Sequence, residues 1–466
     1  MIRGNPYQTY PATLPIQALF DPLTNVDELG NVEPWLATDW SSQDSIKWTF
    51  NLRDDVIYSN GEIFNAAAVV ATLDYLKGDD GMAATTGRHL VDVISAEAVS
   101  DYTVKVTLRR PDPLFAYRAA NWRIPAPAHF EALGIDDFIE DPVGTGPYKP
   151  VKWTPNKVKF VANETSWRPP NISKLEIALI PDQVVRRQAI ISGTFDIVVG
   201  MGPSDKEELE RVGAKLRRRP AATFTFIAFA LERYPDSPLQ DMRIRKALNY
   251  AVNRAQIVDV ILEGYPQLLA QLASPAAPGY DPTLSPYPYD PERAKALLKE
   301  AGYENGFSVK LIASAPDADE MIIYQQVAAN LTAVGVKTTI QLFPILQTTN
   351  MLFSGDIKGE LFALLARPID TIEDYRYRSC LGLAGSNKPV FCDPAVIPLL
   401  EQARAANSLE GMAAAMNKVM NHEHHNPPGI FLWEGLEFDG LAPRILTYKA
   451  GYNFIHFHAI TLAANE

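Results

Sequence analysis

The densest group of side chains able to bind a metal or transfer a proton is His422-Glu-His-His425. Imidazole nitrogens are common ligands of zinc and other transition metals. The spacing is not that of an HExxH helix, because Asn426 occupies the last position. The group precedes Asn426-Pro-Pro-Gly429 at the end of a predicted helix, where the helix dipole favours cationic side chains. We therefore expect a solvated helix end, with no bound metal and no cofactor.

Two glycine pairs resemble phosphate-binding loops. Gly200-Met-Gly202 follows a predicted strand, but the third glycine of a dinucleotide loop is absent. Gly144-Thr-Gly146 leads into a strand rather than a helix, so no helix N-terminus is available to hold phosphate. Both pairs are interpreted as turns.

Nucleophilic catalysis has little support, since the sequence contains no GxSxG elbow and no CxxC pair. The two cysteines, Cys380 and Cys392, flank a glycine-containing stretch that can fold back, so a disulfide is geometrically possible. The alternative is a pair of separate thiols. A hydrolase stays open as a function of a different class, which turnover assays on peptides and esters would reveal.

An aromatic and an amide side chain stand together at Asn121 and Trp122, just before two prolines. A tryptophan in this position can stack on the face of a sugar or fill the core. The sequence alone leaves both alternatives open, and we retain the two residues as ligand-binding candidates.

Composition narrows the class of protein. The 466 residues carry a formal net charge of −12, which repels nucleic-acid phosphates, and the basic cluster Arg217 to Arg219 is too short for a binding track. No apolar run approaches the roughly 20 residues of a membrane span. Met1 is not followed by a basic and then an apolar segment, so we expect any export signal to be removed or replaced. The length predicts two or three lobes.

The first half of the chain contains predicted antiparallel sheet. Trp48 to Arg53 alternates in strand fashion and precedes a helix that starts after Asn65, an N-cap candidate, and runs to Tyr75. Val91 to Ala98 and Tyr102 to Leu108 predict a second strand pair. Ala221 to Ala230 is continuously apolar, which indicates a strand buried on both faces.

The second half is predicted to alternate strands and helices. Asp241 is an expected N-cap, and a helix is predicted from Pro291, a favoured first helical residue, to Ala301. A strand, a helix and a strand follow in order, which predicts a parallel sheet. These three elements are placed at Phe307–Ile312, Glu320–Ala333 and Lys337–Leu342.

Landmarks spread along the chain resemble those of the family 5 extracellular solute-binding proteins, which include dipeptide-, oligopeptide-, nickel- and opine-binding receptors. The landmarks are Glu33–Ala37 with Trp40, Phe50–Arg53 with Asn60–Gly61, Phe64–Ala66, Gly144–Tyr148, Ser192–Asp196, Asp241–Leu248 and Pro278–Gly302.

The resemblance implies an α/β, two-lobed, periplasmic-binding-protein-like fold with an extra subdomain in the first lobe and the ligand cleft between the lobes. The implied first lobe covers residues 1–230, with a subdomain inserted at about 35–165, and the chain returns to it at 431–466. The second lobe covers 231–430, and the crossings are expected near Ala228 to Glu232 and Ile430 to Glu434. A hinge at these crossings implies closure on ligand.

Function, compartment and partners follow from the same resemblance. It implies a monomeric, non-catalytic receptor that delivers a small solute to the membrane permease subunits of an ABC importer. It also implies a periplasmic location, or surface anchoring in a bacterium without an outer membrane. A disulfide between Cys380 and Cys392 is implied by similarity to the short loop of dipeptide-binding relatives, and suits an oxidising compartment.

The site residues that the resemblance implies are Tyr7, Tyr10 and Thr13 in the N-terminal loop and Arg367 near the position of an acid that pairs with a peptide ammonium group. A guanidinium binds carboxylate or phosphate instead. We therefore expect an opine, sugar conjugate or sugar phosphate. A short-peptide receptor is the alternative, with Asp370 supplying the acid after a small shift of register.

Overall fold

A computed structural model describes residues 4–7, 13–88, 90–219, 224–275, 277–314, 318–366, 390–435, 437–451 and 454–463. Within these ranges, no helix combines the length and apolarity that a membrane crossing requires. The helices are α1 Thr13–Leu19, α2 Ala66–Lys77, α3 Asp79–Ala83, α4 Thr85–Arg88, α5 Phe115–Arg118, α6 Pro127–Phe138, α7 Gln183–Ile191, α8 Lys206–Arg211, α9 Met242–Ala251, α10 Arg254–Val260, α11 Pro291–Glu300, α12 Ala318–Ala333, α13 Ile345–Ser354, α14 Ile397–Arg404 and α15 Leu409–His425.

Short 3₁₀ helices lie at Ala119–Asn121, Pro203–Asp205, Pro238–Gln240, Pro394–Val396 and Phe457–Ala459. The strands are β1 Thr24–Val26, β2 Val32–Pro34, β3 Ala37–Ser41, β4 Lys47–Leu52, β5 Val93–Ser100, β6 Thr103–Leu108, β7 Tyr148–Thr154, β8 Lys157–Ala162, β9 Lys174–Ala178, β10 Ile197–Met201, β11 Lys215–Arg219, β12 Phe224–Phe229, β13 Phe307–Ala313, β14 Val336–Leu342, β15 Leu361–Ala366, β16 Gly429–Glu434, β17 Glu437–Leu441, β18 Ile445–Thr447 and β19 Thr461–Leu462.

The inserted subdomain is built on an antiparallel sheet in the order β3-β4-β6-β5. Strand β4 alternates because Trp48, Phe50 and Leu52 enter the core while the side chains between them stay at least partly exposed. Helix α2 begins where predicted, since the side chain of Asn65 accepts a hydrogen bond from the backbone N–H of Ala68. Alternation and capping are local signals, so the sequence predicted both elements correctly.

A five-stranded mixed sheet in the order β14-β13-β15-β12-β16 forms the centre of the second lobe. Strand β12 is buried on both faces, as its continuous apolarity predicted. Phe226 and Ala228 enter one core cluster, whereas Ile227 and Phe229 enter another on the opposite face. Strands β13 and β14 pair in parallel with α12 between them in sequence, which confirms the predicted strand–helix–strand unit.

Sheet membership refines where the chain passes between the lobes. Strands β11 and β17 pair with each other in a separate sheet that also contains β10, whereas β12 and β16 belong to the five-stranded sheet. The chain therefore changes sheet after Arg219 and again after Glu434, the last residue of the second predicted crossing. The division into residues 1–230, 231–430 and 431–466 stays a proposal. The sheets favour moving its two boundaries to the ends of β11 and β16.

One buried ion pair connects distant parts of the first lobe. Asp21 is fully buried and accepts hydrogen bonds from the indole nitrogens of Trp35 at 2.7 Å and Trp167 at 3.0 Å. The hydroxyl of Thr145 donates to the same carboxylate at 2.9 Å, and Arg168 donates from Nε and Nη2. Desolvation opposes ionisation of Asp21, but the charge of Arg168 and these donors hold its pKa below the usual value.

We expect Asp21→Ala to lower the free energy of unfolding by about 3–5 kcal/mol, because it leaves Arg168 buried without its counter-charge. Urea unfolding measures the effect. Asp55→Ala is the matched control, since Asp55 pairs with Arg53 at an exposed site and such pairs contribute about 0–1 kcal/mol. Equal effects of the two substitutions would show that the buried pair has no special role.

Candidate functional site: the cleft between the lobes

The carboxyl ends of three parallel strands mark one edge of the second-lobe sheet. Strands β13, β14 and β15 end there at Ala313, Leu342 and Ala366. Strand β12 starts at the same edge, because Phe224 pairs with Ala366 in antiparallel register. In open α/β sheets, ligands bind beyond the carboxyl ends of the strands. This edge is therefore the wall of the candidate site in the second lobe.

Both connections to the first lobe leave the same edge of the sheet. Phe224 also pairs with Glu434, the last residue of β16, so the chain enters and leaves the second lobe at adjacent points. Arg218 of β11 donates to Glu434 at 3.1 Å across the second connection. The first lobe consequently faces the carboxyl edge, and the space between them is the cleft.

Polar contacts close the cleft at two places. The hydroxyl of Ser204 in the first lobe donates to the carboxylate of Asp319 in α12 at 2.8 Å. The hydroxyl of Ser45 in the inserted subdomain donates to the carbonyl of Asn407 between α14 and α15 at 2.9 Å. The two lobes are therefore in contact at both places in this structure.

Two of the predicted ligand-binding aromatics belong to the core in this arrangement. Trp122 is fully buried, and its ring lies edge-on to Phe115 with the centroids 4.9 Å apart. Tyr7 is 1% exposed and stacks on Tyr75 at 5.4 Å. Both rings pack in the same apolar cluster, and the buried Nε1 of Trp122 has no hydrogen-bond partner among the described residues. Their role in binding a solute stays a prediction. Asn121, by contrast, is exposed at the end of its 3₁₀ helix.

The other predicted positions are less fully described. Thr13 is the first residue of α1. Tyr10, Arg367, Asp370 and Cys380 lie outside the described residues. Their roles stay predictions.

Arg123 is a candidate that the sequence interpretation missed, although it directly follows Asn121 and Trp122. Its Nη1 donates to the carbonyl of Ala120 at 2.6 Å, and its buried Nε has no hydrogen-bond partner. Among the described residues, no carboxylate lies within ion-pairing distance of it. Burial lowers the pKa of Arg123 to about 10, so it remains a cation at neutral pH. A partly buried cation that no described carboxylate pairs with favours binding of an anionic group.

The segment that carries Arg123 approaches the second lobe. Leu114, nine residues earlier, packs in a cluster whose other fully buried members belong to the second lobe. Tyr117 contacts this cluster as well. Because α5 and a 3₁₀ helix connect Leu114 to Asn121, the segment is short and ordered. Asn121 and Arg123 follow directly on this segment, which makes them candidates for the cleft side of the inserted subdomain.

A cavity of about 760 Å³ lies elsewhere, entirely within the first lobe. Consecutive residues of β9 and β10 line it, together with apolar side chains from the C-terminal segment. Arg186, Asp196 and Arg444 add charges to its lining. Because no second-lobe residue lines this cavity, closure of the lobes does not enclose it, and it is not the candidate site.

The three histidines near the end of α15 contact different partners. His422 Nε2 lies 2.7 Å from Asp393, His424 Nδ1 lies 2.8 Å from the carbonyl of Ala270, and His425 Nδ1 lies 2.8 Å from that of Asn421. The ring nitrogens thus point to separate groups. In the part of the chain that the structure describes, no group of three or more His, Cys, Asp or Glu residues has the arrangement of a metal site.

The family follows from a match over most of the chain. A family model described as "Bacterial extracellular solute-binding proteins, family 5 Middle" matches residues 31–369. The chain belongs to this family. Its members are solute-binding receptors of ABC importers rather than enzymes, which confirms the resemblance and the fold class predicted from the sequence.

Known family 5 proteins show the range of solutes. The nickel-binding periplasmic protein of Escherichia coli is 32% identical over 313 residues, which cover 64% of this chain and 59% of that protein. DppA of Helicobacter pylori with the peptide STSA superposes with a TM-score of 0.82 at 22% identity over 99% of this chain and 96% of that one. AgaA of A. tumefaciens R10 with agropinic acid superposes with a TM-score of 0.79 at 21% identity, over 97% of this chain and 94% of that one.

The sequence match to the nickel-binding protein thus spans less than two thirds of that relative's length. The two structural matches extend over nearly the whole of both chains and show the family 5 fold. The relatives are periplasmic, which agrees with the predicted compartment.

The disulfide of this family 5 chain stays a prediction, because Cys380 lies outside the described residues. We expect Cys380 and Cys392 to be bridged in the exported protein, with a contribution of about 3 kcal/mol from closing a loop of this size. Intact-mass measurement after alkylation without reductant should show no modified thiol. Two modified thiols would contradict the bridge.

Two histidines of the returning C-terminal segment make the stability of the first lobe depend on pH. His458 Nδ1 lies 2.9 Å from Nη1 of Arg168 and must accept its proton. His456 is 3% exposed and packs edge-on against Trp35. Desolvation lowers the pKa of His456 to about 3 and that of His458 to about 4. Both rings are therefore neutral when the protein is folded.

We expect the protein to lose stability as the pH falls from about 6.5, where unfolded histidine takes up a proton, towards about 4. His456→Phe keeps the aromatic contacts and removes one titrating ring. Its free energy of unfolding should depend on pH less steeply than that of the parent, by about 1.4 kcal/mol per pH unit in this window. If the free energy of unfolding of parent and variant changed equally with pH between pH 7 and 4.5, His456 would not be a source of the pH dependence.

Proposed function

We propose that this receptor captures a small anionic solute between its lobes and delivers it to the permease subunits of an ABC importer. The favoured solutes are opines, sugar conjugates and sugar phosphates. Membership of family 5 supports the receptor role. The choice of an anion rests chiefly on Arg123.

Charge around Arg123 supports an anionic solute. Asp21 and Arg168 are the two charged groups that affect its ionisation most, and they act in opposite directions. Asp21 already accepts two hydrogen bonds from Arg168 and three from other side chains. The carboxylate therefore has little capacity left for a second guanidinium. A carboxylate or phosphate of the solute can provide the missing acceptor for Arg123.

Arg367 provides a second, independent reason to expect an anion. By the sequence resemblance it corresponds to a position close to the acid of peptide-binding relatives, and a guanidinium there would repel a peptide ammonium group in a desolvated cleft. Ala366, the residue before it, pairs with Phe224 at the edge of the sheet that faces the first lobe. The complex of AgaA with agropinic acid shows that the same fold can hold an acidic solute.

A short-peptide receptor is the second candidate function. It is favoured by the likeness to DppA with a bound tetrapeptide and by the possibility that Asp370 supplies the acid. The two candidates differ in the charge that the solute presents to the protein. Binding of peptides with a free ammonium group would favour Asp370 as the partner.

Thermal shift with a panel of opines, sugar phosphates, glutathione and dipeptides tests the proposal. A solute at 100 times its Kd should stabilise the protein by about 2.7 kcal/mol. We expect stabilisation by members that carry a carboxylate or phosphate without a free ammonium group. Stabilisation by dipeptides alone would overturn the anionic assignment and support the second candidate.

For the best member of the panel, we expect Arg123→Ala and Arg367→Ala each to weaken binding by about 2–5 kcal/mol, because a buried acceptor loses its charged partner. Arg123→Lys should recover part of the loss, since an ammonium keeps the charge but lacks the planar fork. Calorimetric titration measures these changes. Arg109→Ala, at an exposed arginine of the same subdomain, is the control. A change within a factor of about three for either cleft variant would place that residue outside the site.

A further inference from the structure

We propose that the inserted subdomain acts as a latch, in which a tip formed by Ser45 and residues 112–114 docks on the α14–α15 hairpin and stabilises the closed lobes. Only the predicted effect of the latch on solute affinity rests on the proposed receptor function. The latch itself is a property of the protein without solute.

Leu114 is the central contact of the latch. It is 6% exposed and belongs to an apolar cluster. Every other fully buried member of that cluster comes from the second lobe: Ala273, Ala277, Val396, Leu400, Ala403, Met412, Ala415, Met416, Val419 and Met420. One leucine of the inserted subdomain thus enters a socket rich in methionine. Methionine side chains adapt readily to an incoming apolar group, so the socket suits a contact that forms and breaks.

Ser45 is the polar part of the tip. Its hydroxyl donates to the carbonyl of Asn407 at the connection between the two hairpin helices. Its backbone has φ of +55°, a left-handed conformation that is uncommon for a residue other than glycine. The carbonyl of Ser45 accepts from the indole nitrogen of Trp48 at 3.2 Å and from the N–H of Asp112 at 2.8 Å. These bonds hold the strained residue in place and join the Ser45 turn to the Leu114 turn.

The tip is fixed before it meets the second lobe. Asp112 accepts from the N–H of Leu114 at 3.0 Å and from Nε of Arg118 at 2.6 Å. Phe115, the next residue after Leu114, lies in the core of the inserted subdomain. All of these supporting contacts lie within the inserted subdomain. The tip therefore keeps its shape when the lobes separate, which lowers the entropy lost on docking.

The contact is small enough to be reversible. Among the described residues it includes one buried leucine, the half-buried ring of Tyr117 and one hydrogen bond, and a gap of about 40 Å³, lined by residues of both lobes, remains beside it. The chain passes between the lobes at the edge of the five-stranded sheet, far in sequence from the tip. Burying a leucine side chain changes an equilibrium roughly ten- to hundredfold, so this contact can shift the closed-to-open ratio without locking it.

The test uses the full chain freed of solute by unfolding and refolding, and compares the parent with Leu114→Asp, Leu114→Ala and Leu114→Met. Leu29→Asp is the matched control, because Leu29 is 76% exposed and lies outside the cluster. Small-angle scattering measures the radius of gyration, and hydrogen exchange measures protection of α14 and α15. Circular dichroism and urea unfolding check that each variant is folded.

We expect Leu114→Asp and Leu114→Ala to increase the radius of gyration and to speed exchange in α15. Leu114→Met and Leu29→Asp should resemble the parent. If folded Leu114→Asp and Leu114→Ala proteins match the parent in both measurements, the latch is refuted. These measurements need no solute, so they stand even if the anionic proposal fails. For a solute found by thermal shift, Leu114→Ala should also raise Kd by about tenfold. This variant leaves Arg123 in place, so the loss of affinity would come from the latch and not from the proposed anion site.

Discussion

The first lobe depends on the buried carboxylate of Asp21. Asp21 receives hydrogen bonds from Trp35, Thr145, Trp167 and Arg168, which lie up to 147 positions away in the sequence. Arg168 extends the network to His458 in the returning C-terminal segment. A charge at zero exposure is tolerated only when such partners surround it. The network therefore forces the N-terminal segment, the end of the inserted subdomain and the C-terminal segment into one body.

Buried arginines give the second lobe similar internal connections without carboxylates. Arg254 donates to backbone carbonyls of Asn249 and Phe431, and Arg245 donates to those of Leu239 and Pro427. Burial lowers the pKa of Arg254 to about 9, because its partners are neutral. These bonds fix α9 and α10 to β16. Since each lobe is held internally, we expect relative motion of the lobes to change the contacts that bridge the cleft rather than the contacts within either lobe.

The sequence predicted those elements whose signals are local. Asn65 caps α2, Pro291 opens α11, and the period of the apolar residues placed β4 and the parallel pair β13–β14. The site was harder to predict, because its parts meet only after folding. Trp122 carries the same local signal whether it lines a cleft or fills a core, and only the folded chain shows that its ring is buried while its Nε1 lacks a hydrogen-bond partner among the described residues. The residues next to Arg123 in the sequence do not indicate that it lacks an ion pair. It lacks one among the described residues because Asp21, the carboxylate nearby, already pairs with Arg168.

Competition for Asp21 also explains how a protein of net charge −12 can offer a cationic site. Of the two guanidinium groups near this carboxylate, Arg168 makes the direct pair and Arg123 does not. His456 and His458 add no charge, because desolvation keeps both rings neutral. Among Asp21, Arg168 and Arg123, all of them described residues, one positive charge is therefore left in excess in a region of low dielectric, where its interaction with an anion is strong. The acidic exterior does not cancel this attraction, since exposed charges farther than a Debye length are screened. On the proposed function, the same ion pair that stabilises the first lobe is thus what leaves Arg123 to bind the solute.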